Sequence, residues 1–513
     1  MNFLAVVRQL GLVLMILSAS MVFPLALEVF PILGEATQSR PALYALCIAM
    51  AVGITIGAVG YTFGRGLSIE TFTRRDAMLL TALTWVFGAG LAAIPYRAWT
   101  AIGGAAGAHP FDSFEASYFE AMSGLTTTGA TVLGDIQALP ASLLLWRSIT
   151  HWLGGLGIVV LFVAVLPNIG SGGRKLFFAE APGPQQQGVR PRIGETARML
   201  WLLYLGLTIA AMLAFWSTGA MGLFDSICHA FSVMSTGGLS TRDASIGHYN
   251  SLALDLWTML FMLLAGVNFA IFYLLLQRRW SILWTDTELR FYLILKLAAT
   301  TVISLELYGT AIVTTAGHVV QATFGDSLRY AAFQVIALQT GTGFCTADFE
   351  LWPIASKTFL FSMFLIGGCA GSTAGGIKVI RVWIAIKILG EAIERAYRPA
   401  VVRPLRLGNT IVDDDMKLGT LIYTVLFFLL LGVGTGVLVI TESSPQCDLL
   451  TAASATVSTL CNVGPGFHAV GPTQNYGWFS DPSLIVLSVL MALGRLEIYA
   501  LLALAWPRFW MRD

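Results

Sequence analysis

The residues best suited to chemistry recur four times in this 513-residue chain. The segments Glu120–Asp135, His229–Asp243, Phe333–Asp348 and Ala453–Phe467 each carry a short run of glycine and small polar residues. The runs are Thr126-Thr127-Thr128-Gly129, Ser235-Thr236-Gly237-Gly238, Thr340-Gly341-Thr342-Gly343 and Cys461-Asn462-Val463-Gly464. With Gly129, Gly238, Gly343 and Gly464 taken as equivalent, successive copies lie 109, 105 and 121 residues apart. A glycine-bearing extended chain can turn successive carbonyls to one side, where they replace the hydration shell of an ion. No carboxylate falls within the four tetrads, which argues against tight divalent binding and for a monovalent cation held by backbone oxygens. Acidic residues at Asp112, Glu115, Glu120, Asp135, Asp243, Asp348 and Glu350 flank the tetrads, where they would concentrate cations.

Two further features stand apart from the repeat. Gly367, Gly368, Gly371, Ser372, Thr373, Gly375 and Gly376 crowd one apolar stretch, where each interior glycine costs a helix about 1 kcal/mol relative to alanine. A helix break with a movable loop is one reading, and close helix packing through small residues is the other. A phosphate loop is excluded because Ile377 stands where its lysine would be. Arg495 sits inside the last apolar run, where a charge needs water or a partner. It either pairs with Glu497, although residues two apart on a helix point in different directions, or faces a polar interior.

Enzyme chemistry finds little support. The six histidines make no HExxH spacing, and no GxSxG occurs. The six cysteines form no CxxC pair. The chain is expected to carry no cofactor and no metal centre beyond a transported ion. A formal net charge of +1 gives no reason to expect nucleic acid as a partner.

The elements that must position the tetrads are membrane helices. Apolar residues make up 56% of the chain and charged residues only 12%, so membrane lipid is the expected solvent. Ten stretches have the length that crosses a bilayer core, at 4–27, 42–64, 77–98, 141–167, 197–218, 252–277, 291–316, 357–389, 418–441 and 482–507. The first continues past its Ser18-Ala19-Ser20 trio, which favours an uncleaved helix over a signal peptide. Lysine and arginine concentrate in alternate connections, which predicts cytoplasmic termini. The other connections hold the tetrads, each preceded by a helix-compatible half at Phe114–Leu125, Phe224–Met234, Ser327–Leu338 or Asp448–Thr459. Irregular backbone at membrane depth is tolerated only where it is packed in protein or lines water. Four such loops converging on one axis would line water, with the negative ends of four helix dipoles aimed at a cation.

The expected fold is an all-α polytopic membrane protein of ten transmembrane helices. Residues 1–70 form two N-terminal helices, followed by pore repeats at 71–190, 191–285, 286–410 and 411–513, the third containing the glycine run.

The tetrads, with Trp152-Leu153-Gly154-Gly155-Leu156-Gly157 and Ala265-Gly266-Val267-Asn268-Phe269, resemble the Trk/Ktr/HKT superfamily of potassium transporters over nearly the whole chain. The two extra N-terminal helices resemble its TrkH branch. The resemblance implies a potassium selectivity filter at the sixteen tetrad residues, an intramembrane gate loop at Gly367–Gly376, and a pore barrier at Arg495. Plant relatives with serine at the first filter glycine carry sodium, so Gly129 implies potassium. Thr342 departs from the alanine often found there. The resemblance further implies a bacterial cytoplasmic membrane location, a homodimer with one pore per chain, and a TrkA-type cytoplasmic nucleotide-binding regulatory subunit. A gated, passive pore is the expected mechanism. The competing reading is a proton- or sodium-coupled symporter, which the charge moved per potassium ion would distinguish.

Overall fold

A computed structural model describes residues 1–30, 39–64, 73–155, 157, 193–399, 405–408 and 410–511. The chain is mostly helical. Helices α1 (Phe3–Ser20), α2 (Val22–Val29), α3 (Arg40–Phe63) and α4 (Arg74–Ala101) form an N-terminal layer. Helices α1 and α3 pack backbone to backbone: a methyl group added to Gly11 would lie 2.5 Å from the Gly57 carbonyl oxygen, and one on Gly60 would lie 3.1 Å from that of Val7. Small residues thus replace side-chain interdigitation where lipid offers no hydrophobic drive for association.

Four units follow. Short helix α5 (Phe114–Leu125) leads through the first tetrad into α6 (Ala141–Gly155). Helix α7 (Ile193–Ser217), short α8 (Leu223–Met234) and the second tetrad precede α9 (Leu252–Ala265) and α10 (Phe269–Leu276). After α11 (Ile282–Thr285), α12 (Thr287–Leu307) and short α13 (Phe324–Gln339) lead through the third tetrad to α14 (Ile354–Leu365) and α15 (Val379–Tyr397). The last unit is α16 (Asp414–Thr441), short α17 (Leu449–Leu460), the fourth tetrad, α18 (Asp481–Arg495) and α19 (Tyr499–Ala505), with α20 (Pro507–Trp510) closing the chain. Caps fix where three of the short helices begin: Ser113 accepts from Ala116 N, Thr323 and Asp326 cap each other's backbone, and Asp448 accepts from Thr451 N.

Among the described residues five spans are long and apolar enough to cross a membrane: Phe3–Val29, Arg40–Phe63, Arg74–Ala101, Ala197–Ser217 and Asp414–Thr441. The pair α9–α10 makes a sixth if its 95° bend is counted within one span. Helix α16 exposes Leu418, Leu421, Ile422, Val425, Phe428 and Leu429, as a lipid-facing helix should.

Several apolar runs do not continue as the sequence suggests. The run 291–316 stops as a helix at Leu307, and a hairpin follows, β1 (Ala311–Val313) pairing with β2 (Val319–Gln321), Ile312 opposite Val320. A second small hairpin joins β3 (Arg406–Leu407) to β4 (Thr410–Ile411). The run 357–389 is interrupted between Leu365 and Val379, and 482–507 is interrupted at Leu496–Ile498, where Glu497 and Ile498 have φ of 49° and 70°. Of the run 141–167, residues 156 and 158–167 lie outside the described residues.

Candidate functional site

Each tetrad grows out of the C-terminal end of a short helix in the same way. Thr126, Ser235, Thr340 and Cys461 are the C-caps of α5, α8, α13 and α17. The next residue is left-handed in all four: Thr127, Thr236, Gly341 and Asn462 have φ of 54°, 55°, 72° and 55°. Its N–H returns to the helix two residues before the cap, as Thr127 N does to Gly124 O (3.2 Å) and Asn462 N to Thr459 O (3.2 Å). The third residue then reaches one residue deeper, with Thr128 N on Ser123 O (2.9 Å), Gly237 N on Ser232 O (2.8 Å) and Val463 N on Ser458 O (2.9 Å). These are paired helix-terminating bonds, built mostly without glycine at the left-handed position. The third copy differs, since there Gly343 N, one residue later, reaches Ala337 O (3.1 Å). Three N–H groups of each tetrad are therefore occupied by their own helix, which leaves carbonyls such as those of Thr128, Gly237, Thr342 and Val463 for another partner, while that of Gly464 accepts from Ser458 and Tyr476.

The fourth residue is left-handed again, with φ of 83°, 77°, 70° and 97° at Gly129, Gly238, Gly343 and Gly464. Alternate left-handed residues turn consecutive carbonyls toward the same side, unlike the alternation of a strand. The same glycines close the copies into a ring. A methyl group on Gly129 would lie 2.1 Å from Gly237 O, on Gly238 1.9 Å from Thr342 O, on Gly343 1.9 Å from Val463 O, and on Gly464 2.7 Å from Thr128 O. Each loop touches the next in chain order, and the fourth touches the first. Fourteen of the sixteen tetrad residues are buried, and Gly129 and Gly238 are half-buried.

Hydroxyl pairs brace two single loops, and one amide ties two loops together. Thr126 and Thr128 hydroxyls lie 2.7 Å apart, and Thr340 and Thr342 repeat that pair at 2.8 Å. Thr342 therefore has an internal partner, and its copy imitates the first. Asn462 Nδ2 donates to Thr128 Oγ1 (3.0 Å) and to Met491 O (2.9 Å), joining the fourth loop to the first.

A cavity of about 80 Å³ lies against the glycines Gly129, Gly238, Gly343 and Gly464, and Asp243 and Arg147 reach its wall. Glu120 belongs to a different role from the other flanking acids. It is 0% exposed, pairs with the 1%-exposed Arg147 at 2.8 Å, and accepts from Val132 N. Arg147 also donates to Ser240 O (3.2 Å), so the pair is a clamp between the first and second loops. His151, one helical turn on, meets Gly124 O (2.6 Å) and accepts from Leu239 N (3.3 Å), filling the same seam.

On the other side of the ring lies the glycine run. Gly375 fits under the fourth tetrad, where a methyl group would be 2.2 Å from Cys461 O, and its N is 3.5 Å from the place of one on Gly341. Gly371 and Gly376 have φ of 73° and 70°. The run folds on itself through Gly367 N to Ile377 O (2.9 Å) and Val379 N to Gly368 O (3.1 Å). It is tied to the break between α9 and α10 by Cys369 N to Gly266 O (2.9 Å) and Phe269 N to Gly371 O (3.1 Å). Close packing and a helix break are both present, since the small residues pack a loop instead of two helices.

Arg495, at the end of α18, spans that space. Its guanidinium donates to Thr373 O (2.6 Å) in the run and to Gly155 O (2.6 Å) and Gly154 O at the end of α6. It does not pair with Glu497, which meets Arg381 at 2.5 Å while that guanidinium stacks 3.8 Å from the Tyr423 ring centre. Sequence reasoning overlooked Glu288. Its buried carboxylate accepts from Ala370 N (2.7 Å) inside the run and from Ile380 N (3.2 Å) in the first turn of α15, tying the run to the helix that follows it. A second acid, two residues after the Asp286 cap at the start of an apolar helix, is the signal that could have found it. Among the described residues no cluster of histidine, cysteine or carboxylate could hold a metal.

The family profile of TrkH, described as a cation transport protein, matches residues 69–510. The Trk system potassium uptake protein TrkH of Halomonas elongata is 36% identical over 520 residues, covering all of both chains. The protein of the same name from Salmonella typhimurium is 33% identical over 518 residues, 99% of this chain and 100% of its own. The crystal structure of the potassium transporter TrkH from Vibrio parahaemolyticus matches with a TM-score of 0.84 at 31% identity, covering 100% of each chain.

Proposed function

The chain belongs to the TrkH family of cation transport proteins, and on that premise we propose that it takes up potassium through a gated, potassium-selective pore. The observation that carries the reading is the ring closed by Gly129, Gly238, Gly343 and Gly464, each against the next loop's carbonyl. The tetrads form the selectivity filter, with dehydrated potassium held by their carbonyls and the negative ends of α5, α8, α13 and α17 aimed at it. Residues Gly367–Gly376 act as the gate loop below the filter. Arg495 is the barrier that latches the loop to α6 in the closed state.

Ten spans cross the bacterial cytoplasmic membrane with both termini inside, in the repeat boundaries given above. Potassium moves down its electrochemical gradient, driven by about 2.3 kcal/mol per charge for each 100 mV. A TrkA-type cytoplasmic nucleotide-binding subunit regulates the loop, and two chains associate as a homodimer. The regulatory subunit is supported by the Trk system named for the similar proteins, and the homodimer and orientation by the resemblance and charge pattern of the sequence.

In cells lacking potassium uptake, the protein restores growth at low potassium, and Gly129→Ser shifts the flux toward sodium. The serine Cβ demands the space of Gly237 O at a φ of 83°. Unchanged selectivity in a variant that reaches the membrane would overturn the filter assignment.

A further inference from the structure

Helix α12 carries a lysine that the pore reading leaves unused. Lys296 is 4% exposed, although Leu293, Ile294 and Leu297 around it face outward. Its ammonium donates to Gln339 Oε1 (3.0 Å) and lies 4.2 Å from the centre of the Tyr292 ring. None of the ion pairs among the described residues includes it. A lysine held out of water without a carboxylate needs another source of negative potential.

The source is the end of a short helix. Gln339 is the last residue of α13, at the negative end of the helix dipole, and it directly precedes Thr340 of the third tetrad. The corresponding last residues of α5, α8 and α17 are Leu125, Met234 and Leu460. Only the third copy therefore has a side chain there that can hold an ammonium. On its other side, the Tyr292 hydroxyl donates to Leu263 O (3.2 Å) and closes against Gly266, whose carbonyl accepts from Cys369 N of the glycine run.

We propose that Lys296 is an affinity-determining residue: its charge, seated behind the third loop, offsets the dipole of α13 and weakens the ring's hold on potassium. The ion then leaves the site more readily than it would from four uncompensated helix ends, and throughput is gained at the expense of affinity. The inference rests on the filter reading and adds a residue outside the tetrads to it.

The test is the half-saturating potassium concentration for uptake, measured with membrane abundance checked. A unit charge acting through a medium of effective dielectric near 20 over a distance on the order of 10 Å changes binding about tenfold, so removing it tightens binding by that order. Lys296→Met and Lys296→Gln lower the half-saturating concentration by that order, and Lys296→Arg stays near the parent. The sign is diagnostic, because damage to a structural prop loosens the site. An unchanged or higher value in both neutral variants overturns the proposal, as does a neutral pair absent from the membrane while the arginine variant accumulates. If Gly129→Ser alters selectivity and the lysine variants do not alter affinity, this inference alone fails. If Gly129→Ser alters nothing, the filter reading fails first.

Discussion

At Gly238 and Gly343 there is no room for a methyl group, since a neighbouring carbonyl oxygen occupies a point 1.9 Å from where it would sit. Gly238→Ala and Gly343→Ala are therefore predicted to abolish uptake or selectivity by opening the ring, read by low-potassium growth. Thr342 tests a subtler bond. Thr342→Val keeps the shape and removes the hydroxyl that meets Thr340, a loss of about 1 kcal/mol. The potassium-to-sodium ratio should change by no more than about fivefold in flux measurements. Arg147 belongs to the larger class of effects. Arg147→Ala leaves Glu120 charged and unpaired at 0% exposure, a cost of about 3–5 kcal/mol. The variant should unfold at lower temperature in detergent, and the double variant with Glu120→Gln should recover much of the loss.

The elements divide into those that local chemistry dictates and those that distant partners dictate. Helix α5 spans the Phe114–Leu125 expected from the sequence, behind a Ser113 cap, and α8 and α17 fall within a residue of expectation. The interruptions were harder to read. Apolar residues 311–313 look like the tail of a membrane helix, yet they pair with 319–321 as a hairpin. The break in 482–507 is stabilised by Glu497 reaching Arg381 on another helix, 116 residues away in sequence. Hydropathy reports the solvent around a segment and is silent about which carbonyls another segment will satisfy. Glycine spacing revealed that the run 367–376 breaks, whereas the carboxylate that anchors it, Glu288, lies in a different helix. The latch yields a prediction at this scale. Arg495→Ala removes the bonds to Thr373 O, Gly154 O and Gly155 O, each charge-assisted and worth about 1.5–3 kcal/mol. Resting potassium leak from loaded vesicles should rise at least about tenfold, and an unchanged leak would mean that the loop is held closed by other contacts.

In the whole molecule, a near-fourfold ring sits on a scaffold that is not fourfold. The tetrads share the same alternation of φ, but only the third unit has the long glycine run, and only α18 ends in the latching arginine. In the proposed function, symmetry serves the ion, which would see carbonyls from four sides, and asymmetry serves control, because one loop is easier to move than four. A passive pore of this kind should carry about one charge per potassium ion at any membrane potential, measured as current against isotope flux; a higher ratio would favour the coupled symporter. The most direct test of the account is to soak crystals of the protein in rubidium and map the anomalous signal. The account predicts a peak on the axis ringed by the carbonyls of Thr128, Gly237, Thr342 and Val463 and their tetrads. A map with no peak inside that ring, or with its strongest peak between other helices, would contradict it.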